Sequence, residues 1–370
     1  MEKLINLDQA CELAPGVYWV GAGTKTFLSR NSFLRIFKGN GVTGSLLIDP
    51  GPTNDFDSLS HKVAEVLPGG LAKINLAFIN HQDPDVLGIL PTLAKLNPNL
   101  TVIATEDTWR LANLNGMSKT NFRSVDRVQG QKVALPTGHK LQFIPTPFCH
   151  FRGACMIYDL ESRILFTGDL FGGIAAVGLH AKEENWAGIK AFHQLYMPSN
   201  AAIRLAVQKI RQLDPAPLAL MPQHGGLIKG DLLETFMQQL EGLQVGLDII
   251  SSLSSKLPAL IAALNEMVGA VRELLGDVET HKIMGFFKPD GSYPSLFSLN
   301  SAEQVNDIKG EPLEAVEALL RLFLKFADEE QKALLRPKLL LILLQHELPP
   351  FDFLINQEDG DAMDLSPAGF

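Results

Sequence analysis

Short apolar, β-branched stretches punctuate the first two thirds of the chain, and each stops at Gly, Pro, Asn or Asp. Residues 17–20, 33–37, 45–48, 74–79, 101–104, 125–128, 140–144, 155–158, 164–166 and 218–221 read as strands. Helical periodicity falls between them. One helix starts near Asp55 or Asp57 and carries Leu59, Val63 and Val66; another over 86–96 places Leu87, Leu90, Leu93 and Leu96 on one face. Helices are also predicted over 186–196 and 200–213. Two runs of strands, each followed by helices, predict two sheets packed face to face with helices outside, an α/β (α+β) sandwich of αββα layering.

The pattern changes after residue 230. Ile250, Leu253, Leu257, Leu260, Leu264, Met267, Val271, Leu274 and Val278 follow a 3-4-3-4 spacing, a heptad seam that Pro258 is expected to break or restart. Such a seam serves a homodimer or faces the core of its own bundle. Two further apolar helices are predicted over 312–327 and 329–346. The resulting division is 1–245, a helical region 246–355, and a disordered acidic tail 356–370.

Composition narrows the class. A chain of 370 residues with 46% hydrophobic content has enough apolar mass for a large core or two domains. A net charge of −9 argues against nucleic acid and anionic membrane surfaces. No apolar run reaches spanning length, and the N-terminal stretch lacks a signal-peptide core, so a cytoplasmic protein is expected. Cys11, Cys149 and Cys155 form no paired framework and read as reduced thiols.

The candidate chemistry lies at strand ends. The strand over 74–79 runs into Asn80-His81-Gln82-Asp83-Pro84-Asp85, which offers one imidazole and two carboxylates at alternate positions. A solvated polar turn is the plainer reading of that stretch alone. Three other predicted strands end the same way: 140–144 before His150, 164–166 before Asp169, and 218–221 before His224. Three imidazoles and three carboxylates delivered by four strand ends make a metal site by composition. Six ligands would close one ion to substrate; shared between two ions, they leave open positions.

The order His-x-Asp-x-Asp, His, Asp, His, with Ile48-Asp49-Pro50-Gly51 upstream, resembles the metallo-β-lactamase superfamily. Zinc hydrolases of that superfamily usually carry His-x-His-x-Asp-His. Asp83 replaces the second His, which is similar to the flavodiiron branch and its His-x-Glu-x-Asp-His. The carboxylate makes the site harder and favours iron or manganese over zinc. Over roughly 10–245, the His81-to-Asp85 stretch, the Tyr196-Met197-Pro198-Ser199 segment and Pro222-Gln223-His224-Gly225 resemble most the oxygen-binding di-iron proteins of bacterial chemotaxis.

The resemblance implies that His81, Asp83 and His150 bind a first iron, that Asp85 and His224 bind a second, and that Asp169 bridges them. Val86 departs from it, standing where the flavodiiron pattern has a His. A second departure is that no strand followed by a phosphate-binding loop is recognisable after His224, so built-in FMN is not expected. Asp49 is expected to orient a ligand or its loop. Cys149 adjoins a ligand but reads more simply as a small buried hydrophobe. Tyr158 and Tyr196 either donate to bound oxygen or are satisfied elsewhere. His61, His139, His180, His193, His281 and His346 read as surface or structural residues. Three functions follow: a non-haem di-iron protein binding O2 or NO that acts in sensing or redox signalling, an O2/NO reductase fed by a separate electron donor, or a zinc-dependent hydrolase. The signalling partner or donor is not readable from the sequence.

Overall fold

In this computed structural model the long strands send alternate side chains into two apolar environments. The described residues are 6–22, 28–117, 119–176, 178–346 and 348–355, with the side chains of 253–255 left out; the tail expected over 356–370 lies outside them. They form two compact units, Met1–Gln244 and Val245–Phe370.

In the first unit one sheet runs β1 (Cys11–Ala14), β2 (Val17–Trp19), β3 (Phe33–Gly39), β4 (Val42–Ile48), β5 (Leu76–Phe78), β6 (Thr101–Ala104), β7 (Asn121–Ser124), with β4 to β7 parallel. A second sheet holds β8 (Lys132–Ala134), β9 (Lys140–Pro145), β10 (Cys155–Asp159), β11 (Ile164–Gly168), β12 (Ala219–Pro222) and β13 (Ile228–Lys229), each beside its sequence neighbour. Phe33, Phe37, Leu46, Ile48 and Phe78 meet Phe143, Ile157, Phe166 and Met221 between the sheets. The Phe33 and Phe166 rings lie 5.1 Å apart. On the outer face Leu34, Ile36, Leu47, Ala77 and Val102 pack with Leu59 and Val63 of α1 (Phe56–Val66), Leu87 of α2 (Pro84–Leu87), and Leu90 and Leu93 of α3 (Leu90–Leu96). Next in the chain come α4 (Glu106–Ala112), α5 (Trp186–Tyr196), α6 (Asn200–Arg211) and α7 (Leu232–Glu241). The layering is the expected αββα sandwich.

Several local expectations are corrected. Residues 125–128 are not a strand: β7 ends at Ser124, whose hydroxyl accepts the Asp126 N–H and turns the chain into a 3-10 turn. The predicted helix over 86–96 is broken into α2 and α3. Pro91 lacks an amide proton, and Ile89 N–H donates to Gly51 O instead of continuing the helix. Asp55 precedes α1 without capping it, because both its oxygens accept from Arg30 at 2.8 Å.

The second unit packs its own core. Its helices are α8 (Leu247–Leu275), α9 (Asp277–Gly285), α10 (Pro312–Phe326), α11 (Glu329–Gln345) and α12 (Asp352–Ile355). Leu260, Leu264, Met267 and Val271 are buried against Met284, Leu319, Phe323, Leu335 and Leu339, with Leu257 and Leu274 at the margin. The middle of the seam is therefore satisfied within the chain, while Ile250 and Val278 are exposed. Pro258 neither breaks nor starts a helix. α8 runs through it, with Pro258 on the exposed side. The hairpin of β14 (Phe297–Leu299) and β15 (Val305–Ile308) interrupts a region read as helical, and Phe297 and Val305 anchor it in the core.

A buried ion pair crosses the sandwich. Arg35 on β3 donates from Nε to Asp159 at the end of β10 at 2.7 Å, with both side chains buried. Asp159 also accepts from Ser162 Oγ and the Glu161 N–H. Removing one partner of a buried pair leaves an uncompensated charge. Asp159→Ala is expected to lower unfolding free energy by about 3–5 kcal/mol in urea denaturation. A loss below about 1 kcal/mol would mean that the pair behaves like an exposed one.

Candidate metal centre

Topology gathers the ligand-type residues. β4 and β5 are parallel, and their ends carry Asp49 and His81. In the second sheet β11 and β12 are parallel, and β9 shares their direction because both β9 and β11 run antiparallel to β10. The ends of β9, β11 and β12 carry His150, Asp169 and His224. Hydrogen bonds between the sheets bring these ends to one edge: Cys155 N–H donates to Asn80 O at 3.1 Å, and Asn80 Nδ2 donates to Cys155 O at 2.6 Å. A strand-end crevice of this kind is where open α/β sheets place ligands.

All six predicted side chains converge, in two groups. Asp169 Oδ2 lies 3.0 Å from His150 Nε2 and 3.6 Å from His81 Nε2. Asp83 Oδ2 faces the same nitrogens at 3.2 and 3.6 Å. On the other side Asp85 Oδ2 is 3.1 Å from His224 Nε2, and Asp169 Oδ1 is 3.7 Å from that nitrogen. Asp169 thus shows one oxygen to each group. Its Oδ1 is buried without a hydrogen-bond partner among the described residues, a vacancy in its bonding that a cation would fill. His81, Asp169 and His224 are buried, whereas Asp83, Asp85 and His150 keep 34%, 30% and 21% of their side chains exposed and mark the open side. Three imidazoles and three carboxylates so arranged fit a pair of borderline-to-hard metal ions.

Neighbours fix the imidazoles. Asn80 Nδ2 is committed to a carbonyl, so its Oδ1 faces His81 Nδ1 at 3.0 Å and must accept from it. His224 Nδ1 faces Ser29 O at 2.8 Å, another group that only accepts. Both rings therefore keep Nδ1–H and present Nε2 as the ligand atom. Asp49 Oδ1 accepts the Asn80 N–H at 2.9 Å, next to His81 in the same loop. Gly168 has φ +59, and a Cβ there would lie 2.1 Å from the Asn80 side chain, so glycine is required beside Asp169.

The other expected neighbours divide. Tyr196 lies beside the site, its ring 6.4 Å from that of His150. Tyr158 does not join it, because its hydroxyl donates to Pro215 O at 2.7 Å. Cys149 is buried, and burial pushes its thiol up to about 12, which suits the inert reading. Val86 is fully buried in the apolar cluster under the helices of the first sheet. His193, read from the sequence as a surface or structural residue, is structural. It is buried in α5, donates from Nδ1 to Ile189 O at 2.7 Å, and accepts the Phe171 N–H on Nε2 at 3.1 Å, holding the turn after Asp169. Burial lowers its pKa to about 4, so it stays neutral. Asn80 and Asn31 were missed, since an amide next to a strand gives no ligand-like signal.

Without metal, protons stand in for cations. Burial disfavours the His150 cation, but hydrogen bonds to Asp169 and Asp83 outweigh it and lift the pKa to about 10. Burial likewise opposes charge on Asp169, yet the charge of His81 and the hydrogen bond from His150 hold its carboxyl down at about 2. Asp49 goes the other way, raised to about 7 by burial despite the Asn80 N–H. Metal must displace the imidazole protons, so uptake should release protons and strengthen as pH rises from roughly 6 to 9. Adding metal to weakly buffered metal-free protein should acidify the solution. Affinity that is flat across this range would contradict the protonated-cluster picture.

Comparison with known proteins follows the same lines. Two solved structures of the chemotaxis sensor ODP resemble the chain. One, a peroxy diiron species, is 26% identical with a TM-score of 0.55, covering 66% of this chain and 98% of that one. The other, an apo state from T. denticola, is 25% identical with a TM-score of 0.55, covering 66% and 97%. A nitric oxide reductase of Moorella thermoacetica is 23% identical over 254 residues, 64% of this chain and 62% of its own. Diflavin flavoprotein A 1 of Synechocystis is 32% identical over 100 residues, 27% of this chain and 17% of its own. The chain thus spans less than two thirds of these curated relatives. Residues 28–225, more than half of the chain, match the family described as ODP family beta lactamase, and the chain belongs to that family.

Proposed function

We propose that the six clustered side chains hold a pair of iron ions, and that the protein binds dioxygen or nitric oxide there and reports it to a partner. His81, Asp83 and His150 would hold one ion, Asp85 and His224 the other, and Asp169 would serve both. The observation that carries this reading is the split of Asp169, with Oδ2 toward His81 and His150 and Oδ1 toward His224. Iron rather than zinc is supported by the carboxylate at Asp83, which hardens the donor set, and by the likeness to the chemotaxis sensor ODP, solved as a diiron species. When bound, a ferrous pair supplies the electrons that capture a small diatomic ligand.

The chain's own residues shape access and orientation. Asn80 and Ser29 fix the His81 and His224 rings. Phe192 lies 5.3 Å from the His224 ring and 4.7 Å from Tyr196, so α5 presents an aromatic wall that limits water. Tyr196 continues that wall beside His150, its ring 6.4 Å from the imidazole. In Val245–Phe370 no further cluster of metal-type ligands occurs among the described residues, and we assign this unit to signalling rather than chemistry. Likeness to the Moorella nitric oxide reductase favours a second reading, reduction of the diatomic with electrons from a donor protein.

Two measurements separate these readings. Anaerobically purified protein should contain both irons. Asp169→Ala should lose both, because it removes the shared ligand; retention of both at wild-type affinity would refute the bridge. Oxygen added to the reduced protein should give an optical change that persists. Sustained oxygen consumption with an added generic reductase would favour the reductase. Zinc at full occupancy, with no optical response to oxygen, would sink both.

A further inference from the structure

We propose that Asn31 is the positioning residue for the half of the site made by Asp85 and His224, so that this half can be lost while the other is kept. The inference rests on the two-ion reading and adds what holds one ion. His224 sits in the loop that follows Pro222 at the end of β12, and the segment 29–31 just before β3 fastens it. Asn31 Nδ2 donates to Pro222 O and Gly225 O, both at 2.9 Å. The Asn31 N–H donates to Gln223 O at 2.6 Å. Ser29 completes the clamp: its carbonyl accepts from His224 Nδ1 at 2.8 Å, and its hydroxyl accepts the Gly225 N–H at 2.9 Å.

The carboxamide of Asn31 suits this place by chemistry as well as by size. Its two amide protons meet two carbonyls, which only accept, and its oxygen takes the Trp19 indole N–H, which only donates, at 2.8 Å. Asn31 is buried, so an unmet partner would not find water. Asp at this position would keep the acceptor for Trp19 but aim a second oxygen at two carbonyls. Ala would leave the indole and both carbonyls unmatched. Either change removes the two Nδ2 bonds on either side of His224 and loosens the loop, leaving the Asn31 N–H and Ser29 to hold it, so the His224 ring is held less firmly toward Asp85 and Asp169.

Different residues hold the other half. Asn80 meets His81, Asp49 holds the Asn80 N–H, and the hydroxyls of Thr105 and Thr108 donate to Gly153 O at 2.7 and 3.0 Å, just past His150. The two frames meet at Asp169. Loss of the Asn31 clamp should therefore weaken one metal position selectively.

Cobalt(II) titration of the metal-free protein, followed by its visible bands, counts positions whatever the resident metal. Wild type should take two successive equivalents. Asn31→Ala and the isosteric Asn31→Asp should take the first at wild-type affinity and the second roughly 10–100-fold more weakly. Asp159→Ala, which destabilises the sandwich elsewhere, should take both, and thermal melting of each variant separates lost stability from lost metal. Two equivalents at wild-type affinity in a folded Asn31→Asp would overturn the inference, as would equal weakening of both. A wild type that takes a single equivalent would overturn the two-ion reading and this inference together.

Discussion

Repulsion among three clustered carboxylates is the constraint on which this structure depends. Asp83, Asp85 and Asp169 stand within reach of the same imidazoles, and Asp169 is buried. Without cations such a group would be driven toward protonation. Here the imidazoles supply positive charge when they carry protons, and the geometry leaves Asp169 Oδ1 with no hydrogen-bond donor among the described residues. That unmet oxygen supports our proposal of a cation on each side of Asp169.

The sandwich brings that cluster together. Parallel strands in each sheet end at the same edge, so four separate chain segments meet without long loops. Aromatic packing between Phe33 and Phe166 and the Arg35–Asp159 pair lock the sheets against each other. Amide side chains do the finer work. Asn80 joins the two sheets and orients His81, and Asn31 ties the His224 loop to the segment just before β3.

Much of this was legible in the sequence because strand ends and ligand types coincide. His81, Asp83, Asp85, His150, Asp169 and His224 were readable as a set, and their division into two groups came from the family resemblance. The fastening residues were not readable. Asn31 and Asn80 act through partners distant in sequence, so nothing local marks them, and His193 was readable as a surface or structural residue but not as the acceptor of the Phe171 N–H. The heptad spacing around Leu264 was real, but spacing alone does not say whether the facing surface belongs to the same chain. Val125 was apolar enough to extend a strand, yet a Ser124 side-chain hydrogen bond turned the backbone first. The Phe297 and Val305 hairpin is short, and its strands carry too few residues for period-two alternation to stand out.

The central claim is that two ions share Asp169. Crystals grown anaerobically, with diffraction recorded above and below the iron absorption edge, test it most directly. Two iron peaks are expected, one among His81, Asp83 and His150, the other between Asp85 and His224, with one Asp169 oxygen toward each. A single peak, or peaks that vanish at the iron edge and appear at that of zinc, would contradict it.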